Sequence, residues 1–265
     1  SLIGMGGAPL ASIRLGAKDE ARAQRIMGNC VTLLTVAGVL LMAVIFVFKR
    51  PLLYAFGASG DTIQYADQYL TVYNMGTLFV MFTMGLNNFI NCQGFASVGM
   101  KTVLIGAVLN IILDPIFIFG FHMGVTGAAL ATILSQLVSC IWVLRFLTGK
   151  HTHLHIQRKD LPIEWKLAGQ VLLLGLSPFI MQATESLVQI VLNVGLQKYG
   201  GDVAVGAMTI IMSVMQIFMM PLMGLGQGSQ PIISYNYGAG NMRRVKQTFW
   251  LLLRVSLLFA LAFWG

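Results

Sequence analysis

Apolar positions along this chain fall in long unbroken runs, near 28–48, 70–92, 102–120, 125–147, 168–194 and 205–233, with partial runs at 1–13 and 248–265. A helix needs about 20 apolar residues to cross a bilayer. Membrane strands alternate apolar and polar positions over about ten residues. The runs here are continuous and twice that length, so the pattern predicts an all-α, polytopic transmembrane bundle. Composition agrees: 57% of the 265 residues are apolar and 10% are charged, against about 25% charged in ordinary soluble domains. A soluble core of this size would lack a surface, whereas lipid itself solvates spanning helices.

The charged residues sort by loop. Loops 14–27, 93–101, 145–167 and 234–247 hold 13 of the 17 Lys and Arg; loops 49–69, 121–124 and 195–204 hold three, and Arg254 lies in the last span. The two sets alternate along the chain, and the positive-inside rule places the first set in the cytoplasm. The basic excess therefore reports topology. It lies in short loops with few aromatics, which argues against nucleic-acid binding. The stretch 148–167 reads as a solvated cytoplasmic linker between an amino-terminal lobe, 1–147, and a carboxy-terminal lobe, 168–265. His151, His153 and His155 alternate in it and could hold a metal, but a polar linker explains them as well. Cys30, Cys92 and Cys140 are far apart and show no metal-binding or disulfide spacing. No metal or cofactor is expected, and no arrangement of acids, His or Ser suggests an enzyme.

An internal repeat adds to this. Gly4, Gly6, Pro9, Ser12, Gly16, Ala17 and Arg22 match Gly226, Gly228, Pro231, Ser234, Gly238, Ala239 and Arg244 at a constant offset of 222. Both copies end a span at a basic loop, so they share one orientation and imply a parallel repeat about an axis along the membrane normal. A repeat of 222 residues holds about six spans. The intact protein is then expected to hold about twelve, and this chain to run from the end of the second into the ninth, about eight in all.

Polar residues inside spans are costly and are functional candidates. Asn110 and Asp114 are four residues apart on one helix face, and Pro115 frees a backbone carbonyl beside them. A carboxylate, an amide and loosened carbonyls suit a proton or a hard cation such as Na⁺. Thr132, on the next span, could add a hydroxyl. Gln182, Glu185, Gln189 and Asn193 also line one face, as the wall of a wet cavity or as interhelical glue. The 205–233 span carries Thr209, Met212 and Gln216 among many methionines, which suits varied apolar ligands or plain packing. Asn74, Thr77, Asn88 and Asn91 are read as sharing a face of the 70–92 span, for packing or for a cavity.

Two stretches carry a resemblance. Asn110 and Asp114 lie in N-I-I-L-D-P-I-F-I-F-G, followed by G-V-T-G-A-A-L-A-T, and the second repeat copy reads G-L-G-Q-G-S-Q-P-I-I-S-Y-N-Y-G-A-G-N. The chain resembles the bacterial branch of the multidrug and toxic compound extrusion (MATE) family over essentially its whole length. The resemblance implies two six-helix lobes in a V, alternating access, and export of drugs or other small organic molecules, often cationic, in exchange for H⁺ or Na⁺. It implies a multi-pass protein of the bacterial plasma membrane, a monomer, whose partners are small organic substrates and the lipid bilayer. In relatives an Asn and an Asp on the fifth helix and a Thr on the sixth form a coupling site with an Asp on the first. Asn110, Asp114 and Thr132 match the former three, and the helix bearing the fourth has no counterpart in this sequence. Glu185 is the candidate for a seventh-helix acid. A lipid-linked oligosaccharide flippase of the same superfamily is the alternative within transport, and an integral-membrane enzyme the alternative outside it.

Overall fold

Helix boundaries follow the turn residues. In the computed structural model, α1 (Leu2–Gly16) stops at Gly16-Ala17-Lys18-Asp19, and α2 (Glu20–Ala55) begins at once. The model describes residues 2–55, 63–149 and 152–264, without the side chains of 55, 193, 194, 196–206 and 264. The amides of Lys18 and Asp19 close back on the carbonyls of Leu15 and Arg14, at 3.0 and 2.9 Å. This is the two-bond helix stop whose penultimate residue takes a left-handed conformation, and Lys18 has φ 59°. The Asp19 carboxylate then accepts from the Arg22 amide at 3.2 Å, capping α2.

The same turn recurs 222 residues later. α7 ends at Gly238 and α8 (Met242–Trp264) begins after three residues. Gly240 and Asn241 donate to Tyr237 and Asn236 at 3.1 and 2.9 Å, Gly240 has φ 72°, and Asn241 Oδ1 accepts from the Arg244 amide at 3.2 Å. Each bond maps onto its counterpart at the offset read from sequence. The repeat is therefore structural, down to the capping bonds.

Between these turns the chain is helical, with no strand among the described residues. α3 (Ile63–Met75) and α4 (Thr77–Cys92) meet at Gly76; α5 (Ala96–Pro115) runs into a wider π turn over Ile116–Gly120; α6 spans Gly124–Thr148 and α7 spans Trp165–Gly238. Two sequence expectations are corrected here. The 70–92 run is not one straight helix but α3 and α4, bent by 54°, so Asn74 and Thr77 do not form a continuous face with Asn88 and Asn91. Asn74 instead ties α3 to α2 through the Met42 carbonyl at 3.0 Å and accepts from Thr77 at 3.2 Å. The loop read as 49–69 is shorter, because α2 continues through Ala55 and the Lys49 ammonium meets Asp67 at 2.9 Å and Thr71 at 2.9 Å. α5 stays helical through Pro115, which has no N–H to offer the Ile111 carbonyl, and the chain widens afterwards, with Phe121 donating to Ile116 at 2.9 Å.

A straight helix of α7's 74 residues would be about 111 Å long. Yet Val171 and Gly175 near its start, and Tyr235 and Gly238 at its end, all abut α1, which is about 22 Å long. α7 is therefore two antiparallel spans, Trp165–Leu192 and Ala207–Gly238, here called its first and second limbs. The first runs antiparallel to α1, with Gly175 at Leu2 and Val171 at Gly6; the second runs parallel, with Pro231 at Ser12 and Tyr235 at Gly16.

Residues from all four basic loops meet at one end, where Leu15, Glu20, Gln93, His153, Tyr235 and Asn236 line a cavity of about 430 Å³. The alternation read from charge is thereby realised in space. The core lies toward this end, where Ile26, Met27 and Cys30 of α2, Leu86, Phe89 and Ile90 of α4, Leu147 of α6 and Val171 of α7 are fully buried. Large apolar side chains such as Phe46, Ile111, Leu173 and Leu257 are exposed, as residues solvated by lipid are.

The linker keeps its charged side chains Arg158, Lys159, Glu164 and Lys166 exposed, but its backbone is tied down. Gln93 Oε1 accepts from Thr152 Oγ1, His153 N and Leu154 N at 2.7, 2.9 and 2.8 Å. Gln24 pairs with both the amide and the carbonyl of His155. Asn29 accepts from Glu164 N at 2.6 Å, and Thr32 donates to Leu161 O at 2.6 Å. Leu154 is fully buried. Backbone groups that water would otherwise satisfy are held by side chains of α2 and by Gln93, the residue that follows α4, so the segment forms a strap on those helices. His153 stacks on Phe95, with ring centroids 5.9 Å apart. His151 lies outside the described residues.

Candidate functional site

α5 and α6 pack side by side. One helical turn separates Asn110 from Asp114, so both side chains leave the same face of α5, and Thr132 faces them from α6. The Asn110 amide donates to Asp114 Oδ1 at 3.3 Å and to Thr132 Oγ1 at 3.5 Å. Both distances exceed the usual range for such bonds. The Thr132 hydroxyl spends its proton on Ala128 O at 3.0 Å, which leaves its lone pairs toward Asn110. The three residues singled out in the sequence are thus brought together, with Asn110 as the hub. All three are half-buried.

Asn110 and Thr132 open onto a cavity of about 280 Å³ among α4, α5 and α6. This is at the bottom of the range for drug-sized pockets, about 300–1,000 Å³, so it suits ions and a few waters. Its walls are mixed: Met84, Val103 and Ala107 are apolar, while Thr83 and Asn87 from α4, Thr102 from α5, and Ser135, Gln136 and Ser139 from α6 carry polar groups. Asn87 Oδ1 and Gln136 Oε1 are buried acceptors with no partner. Each costs about 1–3 kcal/mol unless a donor or cation reaches it. Sequence reasoning missed both residues. It weighed Asn88 and Asn91 instead, and Asn88 turns back to its own helix, donating to Met84 O at 3.0 Å. Polar residues recurring along α4 and α6 were the available signal, but only packing shows which of them share a void.

The Asp114 carboxylate and the Thr132 hydroxyl, bridged by the Asn110 amide, are hard-oxygen donors of the kind that hold a proton, Na⁺ or water. Asn87, which donates to Gly99 O at 3.3 Å, lies near the other end of α5, about 22 Å along the helix from Asp114. No group of three or more His, Cys, Asp or Glu residues is arranged as a metal site among the described residues.

The second candidate set lies elsewhere. Gln182, Glu185 and Gln189 are exposed on the first limb of α7, and the side chain of Asn193 lies outside the described residues. On the second limb Thr209 and Gln216 are exposed and Met212 is half-buried. Ser213 donates to Thr209 O at 2.8 Å. α7 packs mainly on α1 and α8, less on α2 and α4, and makes no extensive contact with α5 or α6, so these residues are separate from the cluster on α5 and α6.

The arrangement has known counterparts. The MatE family model matches residues 1–116 and 178–264. The multidrug export protein MepA of Staphylococcus haemolyticus (strain JCSC1435) is 28% identical over 261 residues, covering 98% of this chain and 57% of that protein. The chain thus spans little more than half the length of that relative. A solved outward-facing conformation of a multidrug resistance MATE family transporter of the MOP superfamily superposes with TM-score 0.89 at 25% identity, over 98% of this chain and 58% of the other. A solved inward-facing conformation of such a transporter gives 0.77 at 25% identity, over 98% of this chain and 60% of the other. The backbone is therefore closer to the outward-facing form.

Proposed function

Since this chain belongs to the MatE family, we propose that its parent protein is a secondary transporter that exports drugs or other small organic molecules in exchange for H⁺ or Na⁺. The observation that carries this reading is the cluster of Asn110, Asp114 and Thr132, two of which open onto a cavity among α4, α5 and α6. A carboxylate inside a bundle is retained at a cost, and one held by a single long hydrogen bond from Asn110 can exchange a proton or cation without dismantling the fold. Organic substrate is taken by a separate region, for which the polar face of Gln182, Glu185 and Gln189 and the Thr209–Gln216 stretch are the candidates. The basic end faces the cytoplasm of a bacterial plasma membrane. Alternating access then requires the two repeats to close at one end while they part at the other. The greater likeness to the outward-facing relative supports a state closed at the basic end.

The test is accumulation of a fluorescent organic cation in cells expressing the full-length parent, with external Na⁺ and pH varied separately. Lower accumulation than in cells without the protein, relieved on collapse of one of the two gradients, is the expected result. Accumulation indifferent to both gradients contradicts coupled export.

A further inference from the structure

The two repeat copies do not merely resemble one another; they touch. A Cβ on Gly16 would overlap the carbonyl oxygen of Tyr235, and a Cβ on Gly238 would overlap the carbonyl oxygen of Ile13. Gly238 is the repeat mate of Gly16, and Tyr235 is the repeat mate of Ile13, both at the offset of 222. Each copy therefore offers its glycine to the same carbonyl of the other. This reciprocity is the mark of an isologous interface built on a two-fold axis, here within one chain. The approach of bare Cα atoms to carbonyl oxygens is the close helix packing that only small residues allow.

The surroundings fit a closure rather than a permanent weld. Ser12 is fully buried and its hydroxyl donates to Pro231 O at 3.2 Å. The matching bond from Ser234 to Pro9 is not formed, so a single side-chain bond joins the pair here. Farther from the basic end, a Cβ on Gly224, Gly226 or Gly228 would meet nothing within 4 Å. The contact is confined to the last turns before the two basic loops.

We propose that Gly16 and Gly238 form a self-complementary seal that closes the cytoplasmic end between the repeats in the outward-facing state. The proposal rests on the alternating-access reading above. It makes the two glycines positioning residues for the conformational step. A side chain on either one overpacks the closed state and leaves the parted state untouched, so each shifts the protein toward opening at the basic end.

The experiment uses the full-length parent with its native cysteines replaced and Ser12→Cys as reporter. Inside-out vesicles are exposed to a membrane-impermeant maleimide, and the labelling rate is read with and without Gly16→Leu or Gly238→Leu. Gly16→Ala and Gly238→Ala serve where a leucine variant fails to give a monodisperse protein. Each substitution is expected to raise the rate by about tenfold for leucine, less for alanine, the scale that overpacking of a tight contact produces. The two sites are expected to agree within about twofold, because the geometry is reciprocal. Unchanged labelling in both variants, or a rise at one site only, overturns the proposal. Labelling needs no substrate. A parent that shows no gradient-driven export would refute the transport reading while leaving the outcome at the seal to be read on its own.

Discussion

Lys18 and Gly240 stand at the same place in the two copies, with φ 59° and 72°. For a residue with a Cβ, the left-handed conformation costs about 1–2 kcal/mol. Glycine adopts it freely but loses about 0.5–1 kcal/mol more in chain entropy. The balance favours glycine, so Lys18→Gly is expected to stabilise the protein by about 0.5–1 kcal/mol. A rise in the thermal midpoint of the purified full-length parent checks this, and a fall would show that the lysine side chain contributes more than its backbone costs. The mismatch of Lys18 with Gly240 also explains why the turn was only partly legible: Gly16/Gly238 and Arg22/Arg244 are identical, while the residue that sets the turn differs. Asn110, Asp114 and Thr132 were legible because helical spacing and an acid in an apolar run are visible in one dimension. Asn87 and Gln136 were not, because a void among three helices is written in no single spacing.

At the scale of elements, the long apolar runs gave the helices and alternating charge gave their directions, but not their breaks. Gly76 interrupts an apolar stretch that reads as continuous, and a glycine inside a helix is tolerated often enough to carry little weight. The bend is set by what surrounds it: a Cβ on Gly76 would run into the Ile133 side chain of α6, and Asn74 is anchored to α2. The linker was legible only in part. Its charged side chains face out as their polarity suggested, but spacing could not show that backbone groups of the segment are met by Gln24, Asn29, Thr32 and Gln93. Gln93→Ala removes one acceptor from three donors, two of them backbone amides. Since each stranded donor costs about 1–3 kcal/mol and some regain water, a loss of about 2–4 kcal/mol is expected. Limited proteolysis within 150–160 is expected to quicken by at least about tenfold, because cleavage follows local opening. An unchanged cleavage rate would show that the strap is held by its other contacts.

For the whole molecule, two copies of one plan share an orientation, meet at the basic end and lie close to an outward-facing relative in backbone. The proposed function gives ion and substrate separate places: the cluster beside a small cavity among α4, α5 and α6, and the exposed polar faces on α7. If Asp114 couples them, its charge matters more than any single neutral ligand around it. Asp114→Asn keeps shape and hydrogen bonding but cannot titrate or neutralise a cation. Asn110→Ala removes one neutral partner, and Thr132→Ala removes one whose bond is longer still. The most direct measurement is therefore gradient-driven substrate movement in vesicles reconstituted with the full-length parent and its variants, with a pH or a Na⁺ gradient imposed one at a time. The account predicts that Asp114→Asn, folded as the parent is, loses coupled movement, while Asn110→Ala weakens the ion dependence by about tenfold, the scale of one hydrogen bond to a charged group, and Thr132→Ala weakens it less. Normal gradient-driven export by a well-folded Asp114→Asn variant would contradict it and leave the carboxylate a brace for α5.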